Sequence, residues 1–204
     1  MLSKKKLLKE SRLYLILDKD TWGRRSLLAF IRGMPRDTID MVQLRDKHSR
    51  KTTILNDSLI LRKWLKKTKI PFIINDHIDI AKMTESDGVH LGQTDTPIHI
   101  ARKILGRDKI IGISCHNLRE AFEAEKNGAD YIGIGPTFPT STKPDADKPI
   151  DFSIPDILIK NLRIPFFVIG GITHARLPYF TPRFRRIAVC SAILNAKDPC
   201  VSAR

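Results

Sequence analysis

The sequence predicts a parallel α/β fold: eight strand–helix units closed into a (β/α)8 TIM barrel. Three observations carry this. Short apolar runs rich in β-branched residues alternate with helix-length amphipathic stretches, the signature of parallel strands joined by helical crossovers. The runs number eight, which closes a barrel rather than leaving an open doubly wound sheet. The chain has 204 residues, the short end of the range such barrels occupy.

Residues 1–12 are expected to form a basic N-terminal arm, and 13–204 a single barrel domain. The first strand covers 13–17 and stops at Asp18. Helical spacing over 24–32 ends at Gly33, a common C-terminal cap. The second strand, 39–44, runs into Gln43-Leu44-Arg45-Asp46-Lys47. A long amphipathic helix over 52–67 is closed by Pro71. The third strand, 72–74, leads to Asn75-Asp76 and a short helix over 78–83. The fourth, 88–91, leads to Gly92-Gln93-Thr94-Asp95. Pro97 then opens a helix and Gly106 ends it. The fifth strand, 110–113, leads to Ser114-Cys115-His116, and Asn117 caps the next helix. The sixth, 131–134, meets the breaker pair Gly135-Pro136 and the loop Thr140-Ser141-Thr142-Lys143.

A helix over 153–161 precedes the seventh strand, 166–169, and Gly170-Gly171. The eighth, 187–190, leads to Ser191. Pro178 and Pro182 predict an irregular seventh helix. Pro199 interrupts the segment beyond Asn195, which predicts a truncated final helix. Both faces of a parallel sheet are apolar. The flank joining strands one and eight therefore needs cover, from a second copy of the chain in a homodimer or from the folded-back arm with Leu2, Leu7 and Leu8.

The net charge is +14. Its clusters are scattered, lack interleaved aromatics and match no nucleic-acid-binding motif, so they read as solvated surface rather than a nucleic-acid face. No apolar run approaches the roughly 20 residues of a membrane span. The basic N-terminus has no apolar core of a signal peptide. Cys115, Cys190 and Cys200 have no metal-like spacing and read as reduced thiols of a cytoplasmic protein.

The polar residues sit just past the strands. All carboxyl ends of a parallel barrel open on one face, where active sites form. Gln43, Arg45, Lys47, Asn75, Asp76, Asp95, Ser114, Thr140, Thr142, Lys143, Gly171 and Ser191 should therefore share one mouth. Asp76 and Asp95 are hard oxygen donors suited to Mg²⁺. Their alternative role is helix capping. Arg45, Lys47 and Lys143 offer cations to an anionic ligand; otherwise they are surface ion-pair partners. Gln43 and Asn75 can read the edge of a heterocycle. The hydroxyls of Thr140, Thr142 and Ser191, with Gly170-Gly171, suit a phosphate. On residues alone this is a Mg²⁺-dependent barrel enzyme joining or cleaving phosphorylated small molecules.

At these residues the chain resembles the thiamine-phosphate synthase family. The matching segments are Val42-Gln43-Leu44-Arg45-Asp46-Lys47, Ile74-Asn75-Asp76, Gly88-Val89-His90-Leu91-Gly92-Gln93-Thr94-Asp95, Gly112-Ile113-Ser114, Gly128-Ala129-Asp130-Tyr131-Ile132-Gly133, the Pro-Thr-Ser-Thr-Lys loop, Gly170-Gly171-Ile172 and Ser191-Ala192-Ile193. Asp46 stands where the family has glutamate. The resemblance implies a transferase that couples hydroxymethylpyrimidine pyrophosphate to a thiazole phosphate. It implies the pyrimidine against Gln43 and Asn75, and the pyrophosphate on Arg45, Lys47, Ser114 and Lys143. It further implies Mg²⁺ on Asp76 and Asp95, and the thiazole phosphate on Thr140, Thr142, Gly171, the Cys190 backbone and Ser191. The chain departs from the family in the segment 174–186 and beyond Asn195. Two alternatives stand beside this reading. One is a thiazole tautomerase-like isomerase using His116 for proton transfer. The other is a non-catalytic barrel that binds thiamine precursors.

Overall fold

The computed structural model describes residues 4–23, 25–34, 38–66, 68–140, 142, 148–180 and 184–204. Among them eight parallel strands close into a barrel in chain order, β8 pairing with β1. The strands are β1 (Leu13–Asp18), β2 (Met41–Arg45), β3 (Phe72–Asn75), β4 (Gly88–Leu91), β5 (Ile110–Cys115), β6 (Tyr131–Ile134), β7 (Phe166–Ile169) and β8 (Ile187–Val189). A helix, α1 (Lys4–Glu10), precedes them. The helices that join them are α2 (Lys19–Trp22), α3 (Leu27–Gly33), α4 (Lys51–Leu65), α5 (Ile78–Met83), α6 (Ile98–Leu105), α7 (Leu118–Lys126) and α8 (Ser153–Asn161).

Strand parity sorts side chains into two cores. Tyr14, Ile16, Met41, Ile73, Ile110, Tyr131, Phe167 and Ala188 fill the barrel interior. Their neighbours Leu15, Leu17, Val42, Leu44, Val89, Ile111, Ile132 and Val168 point outward and pack under the helices. One strand thus buries residues on both faces, which is why the runs are apolar without alternation. On α4, Ile54, Ser58, Leu61 and Leu65 are the buried residues, one stripe of a helix.

The bottom of the barrel is closed by α1. Leu8, 2% exposed, joins the interior core beside Tyr14 and Met41. Lys4 pairs with Asp87 at 3.6 Å and Lys5 with Asp130 at 2.8 Å, tying the arm beneath β4 and β6. The arm is therefore a plug beneath the barrel, not a cover for the β1–β8 flank. Leu2 lies outside the described residues.

Several boundaries differ from the sequence expectation. The helix expected over 24–32 starts later, as α3, where Ser26 caps it; before it stands a separate single-turn helix, α2, which Asp18 caps through Thr21 and Gly23, at φ +67, ends. The second strand begins at Met41 rather than at 39. Asp40 instead turns its carboxylate to accept from the N–H groups of Arg12 (2.7 Å) and Leu13 (2.9 Å). The seventh crossover is a 3-10 segment, His174–Tyr179, containing Pro178; Pro182 lies outside the described residues. After β8 come only α9 (Ser191–Leu194) and α10 (Pro199–Ala203). Pro199 opens α10 instead of breaking a helix: it stands in the first turn, where a missing N–H costs nothing, and Asp198 caps the amides of Cys200 and Val201.

Candidate active site

The carboxyl ends of the strands surround a cavity of about 510 Å³. Gln43, Arg45, Lys47, Asn75, Asp76, Asp95, Ser114, Thr140, Thr142, Gly171, Cys190 and Ser191 all line it. Lys143 lies outside the described residues. A larger hollow of about 700 Å³ opens on the flank, between the 3-10 segment and α10; it is walled largely by Leu13, Leu177, Phe180, Phe184 and Ile187 and gathers none of the candidate residues.

Inward parity delivers these side chains. Gln43 and Arg45 share the inner face of β2, one residue apart from the apolar Leu44. Arg45 pairs with Asp18, a side chain with no exposed surface at the end of β1. The β1–β2 register sets these two residues directly opposite each other. The guanidinium has five N–H donors, so one ion pair leaves others for the mouth. Lys47 Nζ lies 2.6 Å from Asp76 Oδ2. Asp95 turns back so that Oδ2 accepts the Gly92 N–H at 2.6 Å.

Asp76 sits at φ +59, in the left-handed region that aspartate tolerates better than most residues, and its N–H donates to the His90 carbonyl at 2.9 Å. Burial raises its carboxyl above the ordinary range; Lys47 pulls it down, and the neighbouring Asp95 pushes it up again. Two neighbouring carboxylates thus share the site, with the Lys47 ammonium against one of them. This is an oxygen-donor pair that a hard divalent cation would relieve. Among the described residues no group of three or more His, Cys, Asp or Glu side chains forms. Such an ion would therefore take its remaining ligands from water and substrate oxygens.

On the opposite wall, Thr142 Oγ1 donates to Ser191 Oγ at 3.2 Å and Thr142 N–H to Thr140 Oγ1 at 3.2 Å. The first bond latches Thr142 to α9, and the second ties it to Thr140. Gly170 and Gly171, at φ +100 and +62, carry the chain past this loop. A Cβ on Gly171 would meet the Pro139 carbonyl at 2.6 Å. Arg176 braces the turn by donating to the Gly171 carbonyl at 2.6 Å. His116 is tied to Glu120, by its backbone N–H at 2.8 Å and its ring at 3.1 Å, at the start of α7.

Sequence reasoning misses three polar residues of the inner wall. Asp18 reads only as a strand end. Tyr14 and His90, both buried, line the cavity floor with Ile16 and Ala188. A histidine at inward parity within Gly88-Val89-His90-Leu91 is the available signal for His90.

The fold and cavity define a (β/α)8 barrel of the enzyme class, with its chemistry-bearing residues on the carboxyl face. The thiamine monophosphate synthase family model matches residues 13–193, and the chain belongs to that family. It is 44% identical to the thiamine-phosphate synthase of Halalkalibacterium halodurans over 94% of this chain and 91% of the relative. It is 42% identical to that of Clostridium novyi over 92% of each chain. In fold it resembles the thiamine phosphate pyrophosphorylase of Pyrococcus furiosus, with a TM-score of 0.84 and 30% identity over 98% of this chain and 93% of that one.

Proposed function

We propose that the chain joins hydroxymethylpyrimidine pyrophosphate to a thiazole phosphate, giving thiamine phosphate and pyrophosphate. The observation that carries the reading is the gathering of all twelve described candidate residues around one cavity. The C–O bond to the pyrophosphate breaks and its electron pair leaves with that group. The thiazole nitrogen lone pair then forms the new C–N bond. No proton has to move, so no general base is needed. Gln43 and Asn75 hold the pyrimidine. Arg45, Lys47, Ser114 and Lys143 meet the pyrophosphate as its charge grows, which stabilises the transition state more than the ground state. Thr140, Thr142, Gly171, the Cys190 backbone and Ser191 hold the thiazole phosphate.

Asp76 and Asp95 would hold Mg²⁺, which would supply Lewis-acid neutralisation of the departing pyrophosphate. The tie of His116 to Glu120 favours a helix-capping role over tautomerase-like proton transfer. The same reading expects a cytoplasmic protein; among the described residues no helix is long and apolar enough to cross a membrane. It also expects a homodimer through the β1–β8 side, where the flank hollow opens; sedimentation of a monomer at working concentration would refute that part. Incubating the purified chain with both precursors and Mg²⁺, with mass detection of thiamine phosphate, tests the activity. Absence of product with intact precursors would leave the non-catalytic alternative.

A further inference from the structure

Below the mouth lies a chain of polar contacts that the proposed reaction leaves unused. Gln43 Nε2 donates to Tyr14 Oη at 2.5 Å. Tyr14 Oη and Tyr131 Oη are 2.8 Å apart. Tyr131 Oη lies 2.9 Å from His90 Nδ1, and His90 Nε2 lies 2.9 Å from Ser114 Oγ. Five side chains from β2, β1, β6, β4 and β5 thus connect two cavity-lining groups across the barrel. The backbone makes room for them. A Cβ on Gly112 would lie 2.1 Å from the Tyr131 ring, and one on Gly133 would touch His90 at 3.5 Å.

The protons of this chain have an order. Each phenol has one hydrogen and two partners, so it satisfies both only by accepting from one and donating to the other. A neutral imidazole likewise has one N–H and one acceptor nitrogen. His90 is buried, and its two ring nitrogens meet hydroxyls rather than a carboxylate, the setting of a neutral ring. Buried hydroxyls do not leave a proton unpaired, so the five groups have two arrangements running in opposite directions.

In the first arrangement Gln43 donates to Tyr14, Tyr14 to Tyr131, Tyr131 to His90 Nδ1, and His90 Nε2–H to Ser114. The cavity then receives the Gln43 carbonyl oxygen and the Ser114 hydroxyl hydrogen. In the second every bond reverses: the cavity receives the Gln43 amide hydrogens and only lone pairs from Ser114. An anion beside Ser114 needs a donor, so it selects the first arrangement. That arrangement leaves Gln43 an acceptor, which matches a ligand bearing an N–H group.

We infer that Tyr14, Tyr131 and His90 are positioning residues that couple anion binding at Ser114 to the choice of an amino-bearing heterocycle at Gln43. The inference deepens the proposed function and rests on it for the identity of the two ligands. Oxo-substituted rings, which offer a carbonyl where the amine would be, are rejected because the relay prevents Gln43 from turning over.

Two measurements on the full chain test this. The first is ¹⁵N NMR of histidine-labelled protein with Mg²⁺ and inorganic pyrophosphate, the His90 signals being assigned by their loss in His90→Asn. The Nε2–H tautomer is expected, and an Nδ1–H tautomer or an imidazolium overturns the proposal. The second compares kcat/KM for the aminopyrimidine pyrophosphate and its oxo analogue. Tyr131→Phe should lower the preference for the amino substrate by about tenfold or more, leaving the KM for thiazole phosphate unchanged. Tyr14→Phe should do the same and serves if the first variant does not fold. An unchanged preference in a folded variant overturns the relay. Wild-type chain that makes no thiamine phosphate would overturn the functional reading alone, since the NMR measurement needs no turnover.

Discussion

Asp18 illustrates what a single residue does here. It has no exposed surface, pairs with Arg45 and caps α2 through the Thr21 N–H at 2.9 Å. Asp18→Asn keeps the shape but removes the charge, leaving a largely buried guanidinium without its counter-ion. We expect a loss of about 3 kcal/mol in denaturant unfolding. We also expect at least a tenfold, or about 1.4 kcal/mol, drop in kcat/KM for the pyrophosphate substrate. Normal kinetics in Asp18→Asn would reduce Asp18 to a helix cap. At the paired carboxylates, Asp76→Asn or Asp95→Asn should cut turnover about 100-fold or more with the fold intact; activity that survives both changes and EDTA would refute the metal assignment.

Two thiols, the buried Cys115 and the half-buried Cys190, set an alkaline limit. Burial pushes both Cys115 and Cys190 up to about 12, from an ordinary 9.0. The unfolded chain loses these protons first as pH rises past 9, so it binds fewer protons than the folded chain between 9 and 12 and stability must fall there. Each thiol contributes up to about 1.4 kcal/mol per pH unit. Urea midpoints measured from pH 8 to 10.5 should decline more steeply than those of a Cys115→Ala variant. Folded protein at pH 8 should resist iodoacetamide at the buried Cys115.

Among the elements, α1 bears on stability in a way its sequence does not show: the segment reads as a basic arm whose leucines could cover the β1–β8 flank, not as a plug. Leu8 is the one described side chain it buries. Leu8→Ala should cost about 2–5 kcal/mol, because the barrel floor cannot collapse around the gap. That corresponds to a melting temperature lower by roughly 5–15 °C for a chain of this size. Glu10→Ala, at an exposed position of the same helix, should stay within about 0.5 kcal/mol. Equal melting curves for the two variants would contradict the plug. The 3-10 segment has the opposite character: none of its residues is buried. It works through Arg176, which braces the Gly171 turn and stacks 4.8 Å over Phe138.

For the whole molecule, the described candidate residues come from every strand end except that of β1 and share one cavity. A ligand seated there ties the strands together. Mg²⁺ with inorganic pyrophosphate at about 100 times its dissociation constant should add about 2.7 kcal/mol, raising the melting temperature by roughly 5–10 °C. The effect should exceed that of either component alone, and Asp76→Asn should remove the Mg²⁺-dependent part. A thermal shift assay that finds identical effects with and without Mg²⁺ would detach the metal from pyrophosphate binding.

The strands and their polar ends are legible in the sequence because both depend on local pattern. A doubly buried strand must be a short apolar run, and the first polar residue past it must lie at the mouth once the strands are parallel. Arg45, Asn75 and Ser114 can be placed on that ground alone. The tertiary structure decides everything that depends on closure. Asp18 acquires its partner only when β1 and β2 adopt their register. Leu8 becomes a plug only when there is a floor to plug. Tyr14 and Tyr131, 117 residues apart, read as ordinary core aromatics until the barrel sets their hydroxyls 2.8 Å from one another. The physical reason is the same in each case: burial forces polar groups to find partners, and which partners are in reach is a property of the closed sheet rather than of any segment of the chain.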